Sequence, residues 1–272
     1  MTGTTGFVRS AEAEIAIRVD GPAHLPWLVL SNSLAADMSM WDDQMPALTR
    51  SHRVLRYDSR GHGRSTAPAG PYSFDHLVGD LLAAMDAVGA ARADLLGLSM
   101  GGMTALGVGL AYPERVGRLI CAAARADAPL PFVAGWDQRI AAVESGGMSA
   151  LLGGTLERWF TPALREARPE TVDRAARMIL ATAPTGYIGC AQALKRLDYL
   201  RHLPAMRPSV LFIAGEVDMA APVAAMQEMA QATPEGTLTV LPDVAHLCNM
   251  EDPDGFTAAV AEFLGRTRQA AE

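Results

Sequence analysis

Cysteine is scarce in this chain, and clustered positive charge is absent from it. The three cysteines, Cys121, Cys190 and Cys248, stand far apart and are odd in number. Neither a disulfide framework nor a zinc motif can be read from them. Cys248 follows His246 by two residues, but no further ligand stands nearby at a metal-binding spacing. The residues therefore call for no metal and no organic cofactor. Net charge is -7, with acids and bases interspersed and no basic block. That argues against nucleic acid and anionic membrane as partners. The N-terminal stretch "MTGTTGFVRSAEAE" lacks the charged-then-apolar order of a signal peptide. One stretch, Leu95 to Tyr112, runs 18 residues without a charge, but it holds five glycines and a serine. It reads as a buried strand, a tight turn and a buried helix rather than a membrane span. A reducing cytoplasmic setting is the expectation.

What is present is apolar and alternating. Half of the 272 residues are hydrophobic, enough for one large α/β core. "AEIAIRVDGP" alternates apolar and polar and ends in a Gly-Pro turn, the pattern of a half-exposed antiparallel strand. "WLVLS", "HRVLRYD", "ADLLGLS" and "RVGRLICAAA" read as further strands. Between them, "SFDHLVGDLLAAMDAVG" repeats Leu77, Leu81, Leu82, Met85 and Val88 on a helical face, with Ser73 as N-cap and Gly89 as stop. "GGMTALGVGLAYP" is a second helix, stopped at Pro113. From about Pro129 to Leu203 no strand is expected, only helical pieces broken by Gly and Pro. The alternation resumes with strand "SVLFIAG", helix "PVAAMQEMAQATP", strand "TLTVLP" and helix "DPDGFTAAVAEFLGRT". Strands alternating with helices imply a mainly parallel sheet covered on both faces. The helical insertion would cap one edge of it.

The strongest chemical signal is Gly97-Leu98-Ser99-Met100-Gly101, a G-x-S-x-G elbow placed after a strand and before a helix. The turn would expose the Ser99 hydroxyl at the C-terminal edge of the sheet. A serine needs a base oriented by an acid, and the expected chain order is Ser, acid, His. His246 is the only histidine beyond both Ser99 and the favoured acid, Asp218. His24, His52, His76 and His202 read as solvated, and His62 as part of a structural turn. Asp218, in "GEVDMAAP", is favoured as the acid over Asp127, which follows "RLICAAA". Asp243 lies too close to His246 and reads as a turn residue. An oxyanion needs two preorganised N–H donors. Met100 directly after the nucleophile is one, and Leu34 in the loop after "WLVLS" is the other. Asn32 and Ser33 fill slots where many such enzymes carry His-Gly. The plain alternative for Ser31-Asn32-Ser33 is a strand-ending surface turn. "YDSRGHGRS" holds Asp58, Arg60, His62 and Ser65, yet its glycines argue for a tight, hydrogen-bonded turn that is mostly scaffold.

Over nearly its whole length the sequence resembles the α/β-hydrolase family, with a cap. More narrowly it resembles the 3-oxoadipate enol-lactonases of bacterial aromatic-acid degradation. "LSNSLAADMSMWDDQMPAL", "RVLRYDSRGHGRS", "GPYSFDHLVGDLLAAMDAVG", "GLSMGGM", "ERWFTP", "TAPTGYIGCAQAL" and "AHLCNMEDP" carry the likeness. The resemblance implies an α/β-hydrolase core at 1–128 and 204–272, with a helical cap at 129–203 inserted after the sixth strand. It also implies hydrolysis of a small carboxylated enol-lactone through Ser99, Asp218 and His246. The substrate carboxylate would meet Arg139 beside Trp136, with Arg125, Lys195 and Arg196 as further options, and Asn32 and Ser33 would touch substrate. The sequence departs from such lactonases at two places. Ala122-Ala123-Ala124-Arg125 replaces an Asn-Thr-Ala stretch, and Ala221 stands where Thr is common. Competing expectations are a carboxylesterase or a lactonase for another ring, a cofactor-free perhydrolase on the same triad, and a silent binding module. An intact triad argues against the last.

Overall fold

The computed structural model describes residues 3–266. Residues 1–2 and 267–272, including the end of the last expected helix and of the second core segment, lie outside the described residues. Eight strands form one sheet: β1 (Thr4–Ser10), β2 (Ala13–Asp20), β3 (Trp27–Ser31), β4 (Arg53–Tyr57), β5 (Ala93–Leu98), β6 (Val116–Ala122), β7 (Val210–Gly215) and β8 (Gly236–Leu241). Their order is β1-β2-β4-β3-β5-β6-β7-β8. The β1–β2 and β2–β4 pairs are antiparallel and all others are parallel. Central strands β5 and β7 are buried at every position, whereas β8 is buried only at Leu241. This is the burial expected of a parallel sheet covered on both faces, with half-open edges.

Among the described residues eleven α-helices accompany the sheet. In the core they are α1 (Met45–Leu48), α2 (Phe74–Ala87) and α3 (Met100–Ala111). The insertion supplies α4 (Leu130–Gly146), α5 (Leu152–Trp159), α6 (Pro162–Ala167), α7 (Pro169–Ala181) and α8 (Pro184–Leu194). The core resumes with α9 (Val223–Ala232), α10 (Cys248–Glu251) and α11 (Pro253–Arg266). Ser73 caps α2 by accepting from the His76 amide, and the His76 ring accepts from the Ser73 amide in return. Such a reciprocal cap satisfies two amides that the first turn leaves open. The α3 helix is buried all round from Met100 to Gly109, which explains its lack of an amphipathic pattern. Among the described residues no helix is long and apolar enough to cross a membrane.

Strand β1 was not expected from the sequence. It is an edge strand with only Ser10 buried, so it shows no apolar alternation to read. His52 also differs from expectation: it is buried, 3.7 Å from Asp94, rather than solvated. It directly precedes β4, its Nδ1 lies 2.9 Å from Ser51 Oγ, and its Nε2 faces the carboxylate that pairs with Arg118.

Strand β3 lies between β4 and β5, so the direction of chain progression reverses around it. In open parallel sheets ligands bind beyond the strand C-termini at such a reversal. The cap docks over this edge. Tyr199 and Leu200 amides donate to Ala126 O, Ala183 N donates to Gly61 O, and Leu247 N donates to Trp159 O. At Gly61 and Gly186 the two backbones meet so closely that a Cβ on either would fall within 2.3 Å of the other's Cα. Gly61 of "RGHG" thus serves cap docking, whereas a Cβ at Gly63 would meet the Asp58 carboxylate of its own turn, 2.4 Å away.

Candidate active site

The elbow is strained as its motif requires. Ser99 has φ 56 and ψ -120, outside the ordinary regions for a residue with a Cβ. Its amide donates to Ala122 O at 2.8 Å, and its carbonyl accepts from Met103 N at 3.0 Å, so both neighbours hold the turn. A Cβ at position 101 would lie 2.0 Å from Ser31 O. Only glycine there lets α3 start against the end of β3.

His246 Nε2 lies 3.0 Å from Ser99 Oγ. Its Nδ1 lies 2.8 Å from Asp218 Oδ2. The other carboxylate oxygen of Asp218 accepts from the amides of Ala220 (2.7 Å) and Ala221 (3.1 Å). Backbone amides therefore aim the acid, and the departure at Ala221 removes nothing from that arrangement. The unused candidate Asp127 pairs with Arg125 instead, at 2.9 Å. Asp243 sits in a turn with φ 56 and offers its amide to Glu216.

Glu251 supports the histidine loop and was missed in the sequence. Its carboxylate accepts from Ala245 N at 2.7 Å, Thr161 N at 2.9 Å and Thr161 Oγ1 at 2.5 Å. It joins the residue before His246 to the cap. Three donors on one buried carboxylate make a rigid strut.

The loop after β3 is fixed from below. Asn32 is fully buried, donates to Tyr57 O at 2.8 Å and accepts from Trp41 Nε1 at 2.8 Å. Ser31 Oγ lies 2.7 Å from Tyr57 Oη. Asn32 was expected at the substrate, but both ends of its amide are spent on scaffold and it does not line the cavity. Ser33 and Leu34 do line it. Neither the Leu34 amide nor the Met100 amide donates to another described group, so neither is spent elsewhere in the fold.

A cavity of about 340 Å³ opens above Ser99 and His246. Its charged lining is Arg125, Arg139 and Arg158, with no acidic residue among the lining groups. That is a sharp local reversal in a chain of net charge -7. The expected Trp136 and Arg139 are both there, the guanidinium 4.5 Å from the ring centroid. Lys195 and Arg196 are not; Lys195 is paired with Asp137. Arg158, Thr155 and Tyr187 were missed in the sequence. The signal lay in "TLERWF", where Thr155, Arg158 and Trp159 fall on one helical face. Arg158 is steadied by Thr155 Oγ1 at 3.2 Å. Burial, and Arg139 nearby, lower the Arg158 pKa, while burial raises that of Tyr187 to about 12. No carboxylate reaches salt-bridge distance of Arg139 or Arg158 among the described residues. All three cysteines are buried and burial pushes their thiols up, so none is a nucleophile. No cluster of three or more metal-ligating side chains occurs among the described residues.

Comparison with known proteins agrees with this architecture. Residues 26–253 match the family model described as the alpha/beta hydrolase fold, and the chain belongs to that family. Within it the chain is related to enol-lactonases and esterases, and its class is that of serine esterases and lactonases. It is 34% identical to 3-oxoadipate enol-lactonase 2 of Acinetobacter baylyi over 246 residues, 90% of this chain and 91% of the relative. A hydrolase from Pseudomonas aeruginosa PA01 superposes with a TM-score of 0.93 at 40% identity, covering 97% of this chain and 100% of that one. The enol-lactonase from Burkholderia xenovorans LB400 gives 0.92 at 37% identity, covering 95% and 99%.

Proposed function

We propose that the protein opens a small carboxylated enol-lactone, with 3-oxoadipate enol-lactone as the reference substrate, by serine catalysis. The observation that carries this reading is the hydrogen-bonded line Asp218–His246–Ser99 ending in a cavity whose charged lining is arginine. His246 takes the Ser99 proton as Oγ attacks the lactone carbonyl. The resulting oxyanion sits on the Leu34 and Met100 amides, and Asp218 stabilises the imidazolium. The ring C–O bond breaks, and His246 returns the proton to the leaving enol oxygen, which tautomerises to a ketone. His246 then deprotonates a water, which attacks the acyl ester and frees Ser99 with its proton. Arg139 and Arg158 receive the substrate carboxylate against Trp136 and Tyr187. Two guanidiniums without a carboxylate partner repel each other when the cavity is empty, and an anion relieves that repulsion.

The deciding experiment is turnover of freshly generated 3-oxoadipate enol-lactone beside uncharged aryl esters. The expected result is a higher kcat/KM for the lactone. Equal or better turnover of the uncharged esters would instead make the protein a general carboxylesterase. Arg139→Met should raise KM for the lactone by about tenfold, the loss of one charge-assisted hydrogen bond. An unchanged KM would remove Arg139 from the site.

A further inference from the structure

Arg125 stands where the sequence departs from the lactonase pattern. Of the cavity's three arginines, Arg139 and Arg158 belong to cap helices α4 and α5, whereas Arg125 belongs to the core. It follows by three residues Ala122, whose carbonyl holds the Ser99 amide. A ladder of rings joins the two positions. The Arg125 guanidinium lies 5.6 Å from the Phe132 centroid, and Phe132 meets Trp136 edge-on at 5.7 Å and 79°. Arg139 lies 4.5 Å from Trp136. Cations therefore stand at both ends of an aromatic pair that walls the cavity. The partner of Arg125 is Asp127, whose side chain is 39% exposed and does not line the cavity. That bond occupies one of five guanidinium donors. A carboxylate arriving inside the cavity meets a planar fork in less water than Asp127 does, and such pairs are the stronger ones.

We propose that Arg125 is a second anion locus, and that the preferred substrates are esters or lactones bearing two carboxylates, one at Arg139 and Arg158 and one at Arg125. The proposal rests on the reading of Ser99 as nucleophile and of the cap arginines as the first locus. A lactone with a single carboxylate fills only one of the two.

The test compares aryl esters of butyrate, glutarate and tricarballylate, which carry no, one and two free carboxylates. In the wild type kcat/KM for the tricarballylate ester should exceed that for the glutarate ester by about tenfold, the worth of one charge-assisted contact. Arg125→Leu should bring that ratio near one, and Arg125→Lys should keep a substantial part of it. A ratio that survives Arg125→Leu, that favours the glutarate ester in the wild type, or that falls alike in both variants overturns the proposal. Calorimetric binding of free glutarate and free butyrate, which carry two carboxylates and one, gives the corresponding ratio without turnover. It decides the anion locus even if no ester is cleaved, an outcome that would count against the nucleophile reading alone.

Discussion

Two turns at the same edge of the sheet look alike in composition and behave in opposite ways. The elbow at Gly97–Gly101 follows β5, and the Tyr57–Ser65 turn follows β4; both strands flank β3. The second turn has the richer chemistry: Asp58, Arg60, His62 and Ser65. Every one of those groups is turned inward. Asp58 accepts from the amides of Met38 and Arg64, at 2.8 and 2.9 Å. Arg60 binds Asp80 through two bonds of 2.6 and 2.7 Å. His62 Nδ1 meets Arg60 O, and Ser65 Oγ donates to Asp58 O. The elbow offers one reactive group, Ser99, and among the described residues its Oγ meets only the His246 ring. Reactivity follows from hydrogen bonds left open toward a cavity, not from the number of ionisable residues in a turn.

The contrast is most sharply tested by Ser99→Ala. Loss of a triad serine lowers kcat by about 10⁶, and covalent labelling by a fluorophosphonate should vanish with it. Thermal stability should stay near that of the wild type. Labelling that persists in the variant would place the nucleophile elsewhere. Asp218→Asn comes next. It keeps the shape but favours the wrong His246 tautomer, and a loss of about 10⁴ in kcat is expected. A loss below tenfold would mean that Asp218 does not orient the ring.

Arg60→Met probes the other turn. Side chains of Arg60 and Asp80 are 3% and 1% exposed, so the variant strands a buried carboxylate. Breaking such a pair by removing one partner costs about 3–5 kcal/mol. Chemical denaturation should register that loss, while the folded fraction keeps its fluorophosphonate labelling. Selective loss of labelling in folded protein would make the turn part of the chemistry and erase the contrast.

The elbow was legible in the sequence because its motif, strand and helix follow one another without a break from Ala93 to Ala111. The line from Ser99 through His246 to Asp218 was legible only as an order along the chain; the distances come from β7 lying beside β6, and β8 beside β7. What stayed hidden depends on packing. Asn32 looked like a substrate contact because nothing local shows that Trp41 and Tyr57 consume its amide. Arg158 and Glu251 acquire their places only when the cap folds over the sheet, a contact between segments about 90 residues apart. Strand β1 was invisible because an edge strand buries too little to leave a pattern.

The smallest effect separates two groups within the inward turn, and its sign is opposite for each. Burial lowers the His62 pKa from 6.5 to about 4 and raises that of Asp58 from 3.8 to about 6. His62 is held neutral. Its contribution to stability is present above pH 6.5 and is lost as pH falls toward 4, up to about 3 kcal/mol for that span of pKa. Asp58 resists ionisation in the fold. Its contribution is present below pH 3.8 and is lost as pH rises through 6, again up to about 3 kcal/mol. Between pH 6 and 4 the two nearly cancel. Urea unfolding followed across that interval should therefore show His62→Gln gaining stability toward acid relative to wild type, because only the Asp58 contribution remains. Asp58→Asn should lose stability faster than wild type, because only His62 remains. Three parallel curves would mean that neither group leaves its ordinary range, and that the turn is closed by geometry without any electrostatic strain.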